Sequence, residues 1–264
     1  MEKADSRFAQ TTDGVFNSVT RKVFPGLCEA QAFLPAADPE CYSGLHISPM
    51  TQIHSFVFSP LAENTYVLYD DSREAVIIDP GCYTRQEQGE LSHFIEKNGL
   101  KPVKLLNTHA HVDHVLGNAF VKRTYGIELY LHEKDLPVLK AAKILAPHYG
   151  LPQYEETEVD QFLKEGQPVT FGNTTLEVRF VPGHAPGHVA FVCHEDRFVI
   201  GGDVLFRGSI GRTDFPLSDF ETLAHSIRTQ FYTLPDDYTI YPGHMDTTTI
   251  GYEKRTNPFV KGNG

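Results

Sequence analysis

The stretch Leu106-Asn107-Thr108-His109-Ala110-His111-Val112-Asp113-His114 decides how this chain is read. Three imidazoles and one carboxylate fall between His109 and His114. His109 and His111 stand two apart, so an extended backbone points both the same way. Asp113 and His114 follow where a loop or a first helical turn swings them onto an adjacent position. Four ligand-type side chains this close repel one another, or stay unsatisfied, unless something binds them. The layout suits two neighbouring metal ions, one on each side of the turn.

Working outward, residues 103–106 form a short buried strand that delivers the histidines at its C-terminal end. Residues 114–125 read as the following helix, ended by Gly126. Upstream, residues 53–58, 64–69 and 75–78 are β-branched or aromatic runs bounded by turn residues. The last runs into Asp79-Pro80-Gly81. Residues 86–97 are a helix, with Leu91, Phe94 and Ile95 on one face and Asn98-Gly99 stopping it. Downstream, residues 127–131 are a strand, 133–145 a helix, and 148–160 a long acidic, Pro-rich loop. Strands at 168–171 and 175–181 flank a Gly172-Asn173 turn. Strands at 188–193, 198–200 and 239–241 and helices at 220–231 and 247–254 complete the pattern. Two strand-rich halves, each with helices on one side, predict an α/β (α+β) fold: an αββα sandwich of two face-to-face sheets. Residues 1–49 lack sustained periodicity and read as an appendage to a domain at 50–264.

At 264 residues with 41% hydrophobic and 22% charged side chains, the chain buries a sizeable core. A net charge of −11 argues against a nucleic-acid or anionic-membrane surface. It leaves anionic substrates open, because bound cations reverse the field locally. Cys28, Cys41, Cys82 and Cys193 are scattered without a CxxC pair, which suits a reducing compartment. With no membrane-span or signal-peptide pattern, the expected location is the cytoplasm.

Further ligand-type residues stand at three strand ends, where loops gather. These are Pro182-Gly183-His184-Ala185-Pro186-Gly187-His188, Gly201-Gly202-Asp203 and Pro242-Gly243-His244. Alone, each is an ordinary turn. After the His109 stretch they complete a set.

That set resembles the metallo-β-lactamase superfamily over about residues 51–260, whose HxHxDH motif, later His, Asp and final His occur here in order. The resemblance implies one divalent metal on His109, His111 and His184, and a second on Asp113, His114 and His244. Asp203 would bridge the two. It implies a metal-bridging hydroxide as nucleophile, with Asp113 able to orient it and zinc, iron or manganese as the ions. It also implies that Asp79 braces the ligand loop. His188, opening the next strand, is read as a structural hydrogen-bond partner.

Within the superfamily, the runs Phe206–Pro216 and Thr247–Phe259 resemble the glyoxalase II group, which hydrolyses S-acylglutathione thioesters such as S-lactoylglutathione. The similarity is to compact bacterial-type members without the C-terminal helical domain. The glutathione-holding basic residues of that domain have no counterpart here, and Met245 replaces an aromatic residue. Arg212 is either a clamp for a substrate carboxylate or a structural ion-pair partner. The alternatives are two. A persulfide dioxygenase shares the Gly211–Phe215 run and holds one iron on the positions of His109, His184 and Asp203. The other is a different hydrolase of the fold, a lactonase or lactamase.

Overall fold

The structure, a computed structural model, describes residues 50–262; the expected appendage at 1–49 lies outside them. One six-stranded sheet holds, in spatial and chain order, β1 (Gln52–Phe58), β2 (Glu63–Tyr69), β3 (Glu74–Ile78), β4 (Lys101–Leu106), β5 (Leu129–His132) and β6 (Gln161–Leu163). The first three strands pair antiparallel and the rest parallel. The second half supplies β7 (Val169–Phe171), β8 (Thr174–Phe180), β9 (Val189–Cys193), β10 (Phe198–Gly202), the small hairpin β11 (Leu205–Phe206) and β12 (Ser209–Ile210), then β13 (Thr239–Pro242) and β14 (Thr248–Thr249). Its six-stranded sheet runs β14-β13-β10-β9-β8-β7.

Period-2 patterning sends alternate residues of each central strand to different cores. Tyr66 and Leu68 of β2, with Val76 and Ile78 of β3, meet Phe191 of β9 and Phe198 and Ile200 of β10 between the sheets. The intervening Val67, Tyr69, Ala75 and Ile77 face outward, onto Leu91 and Ile95 of α1 (Arg85–Lys97). On the other side, Ala190, Val192 and Val199 face α5 (Phe220–Ser226). Both faces of both sheets are therefore covered, and the predicted αββα layering is the architecture observed. No helix among the described residues is long and apolar enough to cross a membrane.

Three local readings change. The helix expected over 114–125 is two: α2 (Val112–Val115) and α3 (Asn118–Tyr125). The break falls at Leu116-Gly117, where the Gly117 N–H donates to Pro80 O at 2.6 Å and a Cβ would sit 2.5 Å from Cys82 Sγ. The segment 133–145 opens as a 3₁₀ turn at Glu133–Asp135 before α4 (Leu136–Leu145), because Pro137 fits only the first turn of a helix. The loop expected over 148–160 starts inside a second 3₁₀ turn, Ala146–Tyr149, and is followed by the short edge strand β6. The last helix, α6, runs Ile250–Thr256, capped by the Thr249 hydroxyl.

Candidate metal centre

The seven residues singled out in the sequence come together at one end of the sandwich, from loops that leave β4, β8, β10 and β13. His109 and His111 lie in the loop after β4, and Asp113 and His114 on the single turn of α2. His184 follows β8, Asp203 follows β10 and His244 follows β13. Three groups have a potential donor atom from each member within 4.8 Å of the others: the triads His109–His111–His184 and Asp113–His114–His244, and Asp79–His109–His114 behind them. The Asp203 carboxylate stands between the first two. Its Oδ1 is 3.5 Å from His114 Nε2, and its Oδ2 is 3.5 Å from His184 Nε2 and 3.6 Å from His244 Nε2. Asp113 Oδ2 lies 3.0 Å from His244 Nε2.

Hydrogen-bond partners set the ring tautomers. His184 Nδ1 faces Arg212 O at 2.8 Å and His244 Nδ1 faces Ala62 O at 3.0 Å. A carbonyl only accepts, so each Nδ1 carries a proton and each Nε2 is turned inward toward the cluster. His114 Nδ1 donates likewise to Asp79 Oδ2 at 3.1 Å. His109 Nδ1 donates to Thr108 Oγ1 at 3.0 Å, and that hydroxyl donates onward to Asp79 Oδ2 at 2.6 Å. His188 is the exception: its Nε2 accepts the Asp203 backbone N–H at 3.0 Å, so its lone pair is already used. It stacks on His109 with ring centroids 4.6 Å apart.

The result is a buried cluster of imidazoles and carboxylates in which His111 Nδ1, 2.8 Å from His184 Nε2, acts as a donor and several other atoms are left without a partner. His109 Nε2, His114 Nε2 and Asp203 Oδ1 are buried without a hydrogen-bond partner. Such groups are rare unless a cation or water completes them, and imidazole nitrogens with carboxylates are a donor set for divalent ions. The His/Asp cluster fits a metal site. Burial, reinforced by neighbouring imidazoles, holds His109 well below the ordinary histidine range and His111 at about 3, so both imidazoles are neutral at pH 7. For His114, burial pushes down but Asp113 and Asp203 outweigh it and hold it well above that range. Burial would raise the Asp203 carboxyl, yet His114, His184 and His244 drive it far below the carboxylate range.

Backbone geometry allows this closeness. Gly202, at φ 50°, takes the left-handed turn that aims Asp203 inward. At Gly243, a Cβ would lie 2.2 Å from Asp203 Oδ1.

Asp79 sits behind the cluster. Besides His114 and the Thr108 hydroxyl, it accepts the Thr108 N–H at 2.7 Å and Asn107 Nδ2 at 3.3 Å. Two further acids were not found from the sequence. Asp135, fully buried, accepts the Ala110 N–H at 2.7 Å and the Gly187 N–H at 2.6 Å, so one carboxylate ties both histidine loops together. Glu63, also fully buried, has Oε1 4.0 Å from His114 Nδ1, and burial pushes its carboxyl well above the usual range. Asp135 reads in sequence as a helix-start acid and Glu63 as a turn residue; neither has a local signal pointing to the centre. Arg212 is two-thirds exposed and spans both oxygens of Asp214, at 2.9 and 2.8 Å. Arg207 lies 5.7 Å from the Tyr252 ring centroid.

A cavity of about 510 Å³ opens over the cluster, with His111, Asp113, His184, Asp203 and His244 on its floor.

The model of the metallo-beta-lactamase superfamily matches residues 59–244. The chain belongs to that superfamily. Superfamily members bind divalent metals at such a cluster, and the family is one of metallo-hydrolases and related enzymes. Among curated relatives, hydroxyacylglutathione hydrolase GloC of Haemophilus influenzae is 42% identical over 200 residues, covering 75% of this chain and 92% of that protein. Mitochondrial persulfide dioxygenase ETHE1 of Bos taurus is 33% identical over 199 residues, covering 74% and 70%. Of solved superfamily structures, the B3 metallo-beta-lactamase BLEG-1 aligns with a TM-score of 0.74 at 35% identity, over 80% of this chain and 100% of that one. TTHA1623 in a di-iron-bound form gives 0.70 at 38% identity, over 78% and 100%.

Proposed function

We propose that this chain is a metal-dependent thioester hydrolase of the glyoxalase II type. His109, His111 and His184 would hold one divalent ion and Asp113, His114 and His244 a second, with Asp203 placed to serve both. When bound, such a pair supplies Lewis acidity and a water of lowered pKa. The observation that carries the reading is the second triad. A one-metal centre needs only His109, His184 and Asp203, yet Asp113, His114 and His244 also converge on Asp203.

The chain's own residues do the rest. Asp113 and Asp203 face the cavity floor as paired carboxylates and accept hydrogen bonds from a water held there, orienting it toward a substrate carbonyl. The Nδ1 hydrogen bonds of His184 and His244 fix both rings, so no reorganisation is needed when substrate arrives. A thiolate leaves without a general acid, because an ordinary thiol ionises near pH 8.5. The hydrolase name of the Haemophilus relative supports this reading, and the di-iron neighbour makes iron the competitor of zinc. The dioxygenase relative supports the alternative of a single iron and oxygen consumption.

The test is metal analysis of the purified protein together with two assays: thiol release from S-lactoylglutathione, and oxygen uptake with glutathione persulfide. Two equivalents of metal and chelator-sensitive thiol release without oxygen uptake are expected. Oxygen uptake with no thiol release would overturn the hydrolase in favour of the dioxygenase.

A further inference from the structure

Above its ionic floor the cavity is apolar. Val138 and Ala141 of α4 and Ile210 of β12 line its walls. Its mouth carries Leu145, Leu217 and Met245, which are 42%, 65% and 62% exposed. Large exposed apolar side chains gathered at the lining of one cavity mark a binding surface. Two of the three are also strained: Leu217 has φ 70° and Met245 φ 67°, the left-handed region that bulky residues avoid. Strain plus exposure, at the rim of a cavity whose floor is the His/Asp cluster, points to a role in binding rather than in folding.

Charge points the same way. Among the described residues lining the cavity, Arg212 is the one Lys or Arg. Its guanidinium is occupied by both oxygens of Asp214 and lies 4.3 Å from the Phe215 ring centroid. Among the described residues, no unpaired Lys or Arg on these walls meets the two carboxylates of a glutathione carrier.

We propose that the cavity takes an aliphatic arm of the substrate, so that the substrate class is a thioester with a medium-length acyl chain whose carrier is not gripped by its carboxylates. This rests on the thioester-hydrolase reading for the bond that is cut, but the apolar recognition can be measured without turnover. The probes are thioethers, which the enzyme cannot hydrolyse: S-butyl-, S-hexyl- and S-octyl-N-acetylcysteamine, and S-hexylglutathione. Their binding to the metal-loaded full chain is followed by calorimetry. Burying a methylene gives about 0.8 kcal/mol, or about fourfold in affinity. Butyl to hexyl should therefore tighten Kd by roughly 15-fold. S-hexylglutathione should bind within about threefold of the N-acetylcysteamine analogue. Leu217→Ser, at an exposed position, should shrink the gain from butyl to octyl; the wild-type series stands without it. A flat chain-length series, or a glutathione conjugate bound tenfold or more tighter, would overturn the inference. A steep series from a protein that hydrolyses no thioester would support the apolar site and overturn the hydrolase. A flat series alongside S-lactoylglutathione hydrolysis would do the reverse.

Discussion

Replacing Asp79 with Asn should cost one metal ion and spare the other. The Asp79 carboxylate accepts four hydrogen bonds: from Thr108 N and Asn107 Nδ2 on Oδ1, and from Thr108 Oγ1 and His114 Nδ1 on Oδ2. An Asn that keeps its oxygen on the Oδ1 side turns its NH₂ toward His114. Two donors then face each other, and His114 relieves the clash by moving its proton to Nε2. That is the nitrogen 3.5 Å from Asp203 Oδ1, so the lone pair aimed into the second triad is lost. Leaving a buried donor unsatisfied costs about 1–3 kcal/mol, which matches the 10–100-fold weakening typical when the partner of a metal-binding histidine is removed. The Thr108 hydroxyl, which also donated to Oδ2, turns its proton away and accepts from both the new NH₂ and His109 Nδ1, so the first triad keeps its tautomer. Metal titration against a competing chelator is the assay. Wild type should show two tight equivalents. Asp79→Asn should show one unchanged and one about 10–100-fold weaker. Equal weakening of both, or two unchanged equivalents, would refute the tautomer argument.

Asp135→Ala should do the converse: with the Ala110 and Gly187 N–H groups unpartnered, the His109–His111–His184 site should lose about tenfold or more in affinity in the same titration. Gly243→Ala should lower turnover by roughly 100-fold while circular dichroism is unchanged, because the new Cβ displaces Asp203 Oδ1 from 2.2 Å. Removing metal with a chelator should abolish activity and lower Tm by about 10 °C, since an ion held at 1,000 Kd stabilises by about 4 kcal/mol; readdition should restore both. Burial would raise the Asp70 carboxyl, but hydrogen bonds from Ser72, Asn173 and Thr174 outweigh it and hold its pKa below the usual 3.8. The folded pKa is depressed, so this contribution is present above pH 3.8 and lost as pH falls through the folded value. In urea unfolding, the gap between wild type and Asp70→Asn should therefore shrink between pH 5 and pH 2.5, those limits being about one unit either side of the titration.

What could be read in advance was what repeats or clusters along the chain. The continuous apolar run Tyr66-Val67-Leu68-Tyr69 sends successive side chains to two cores, and the layering was legible from two strand-rich halves each with helices on one side. The His109–His114 stretch was legible because its donors are local. His184, Asp203 and His244 needed the strand-end context and the resemblance, since each alone is an ordinary turn. The distant ties escaped. Asp135 meets Ala110 and Gly187 from 25 and 52 residues away. The break at Gly117 depends on the close approach of Pro80 and Cys82, which no helical periodicity reveals. The edge strand β6, three residues long, exists only because β5 offers it a partner.

The donors around Asp203 come from both halves of the sandwich: His109, His111, Asp113 and His114 from the first sheet's side, and His184, Asp203 and His244 from the second's. Ions held across that seam would act as rivets, the second group joining Asp113 and His114 to a histidine more than a hundred positions away. Metal starvation would then be felt as a mechanical weakness as well as a chemical one. A chain stripped of its ions should open along this edge first and be cut there by proteases, so that metal supply would govern how long the protein lasts as well as whether it works.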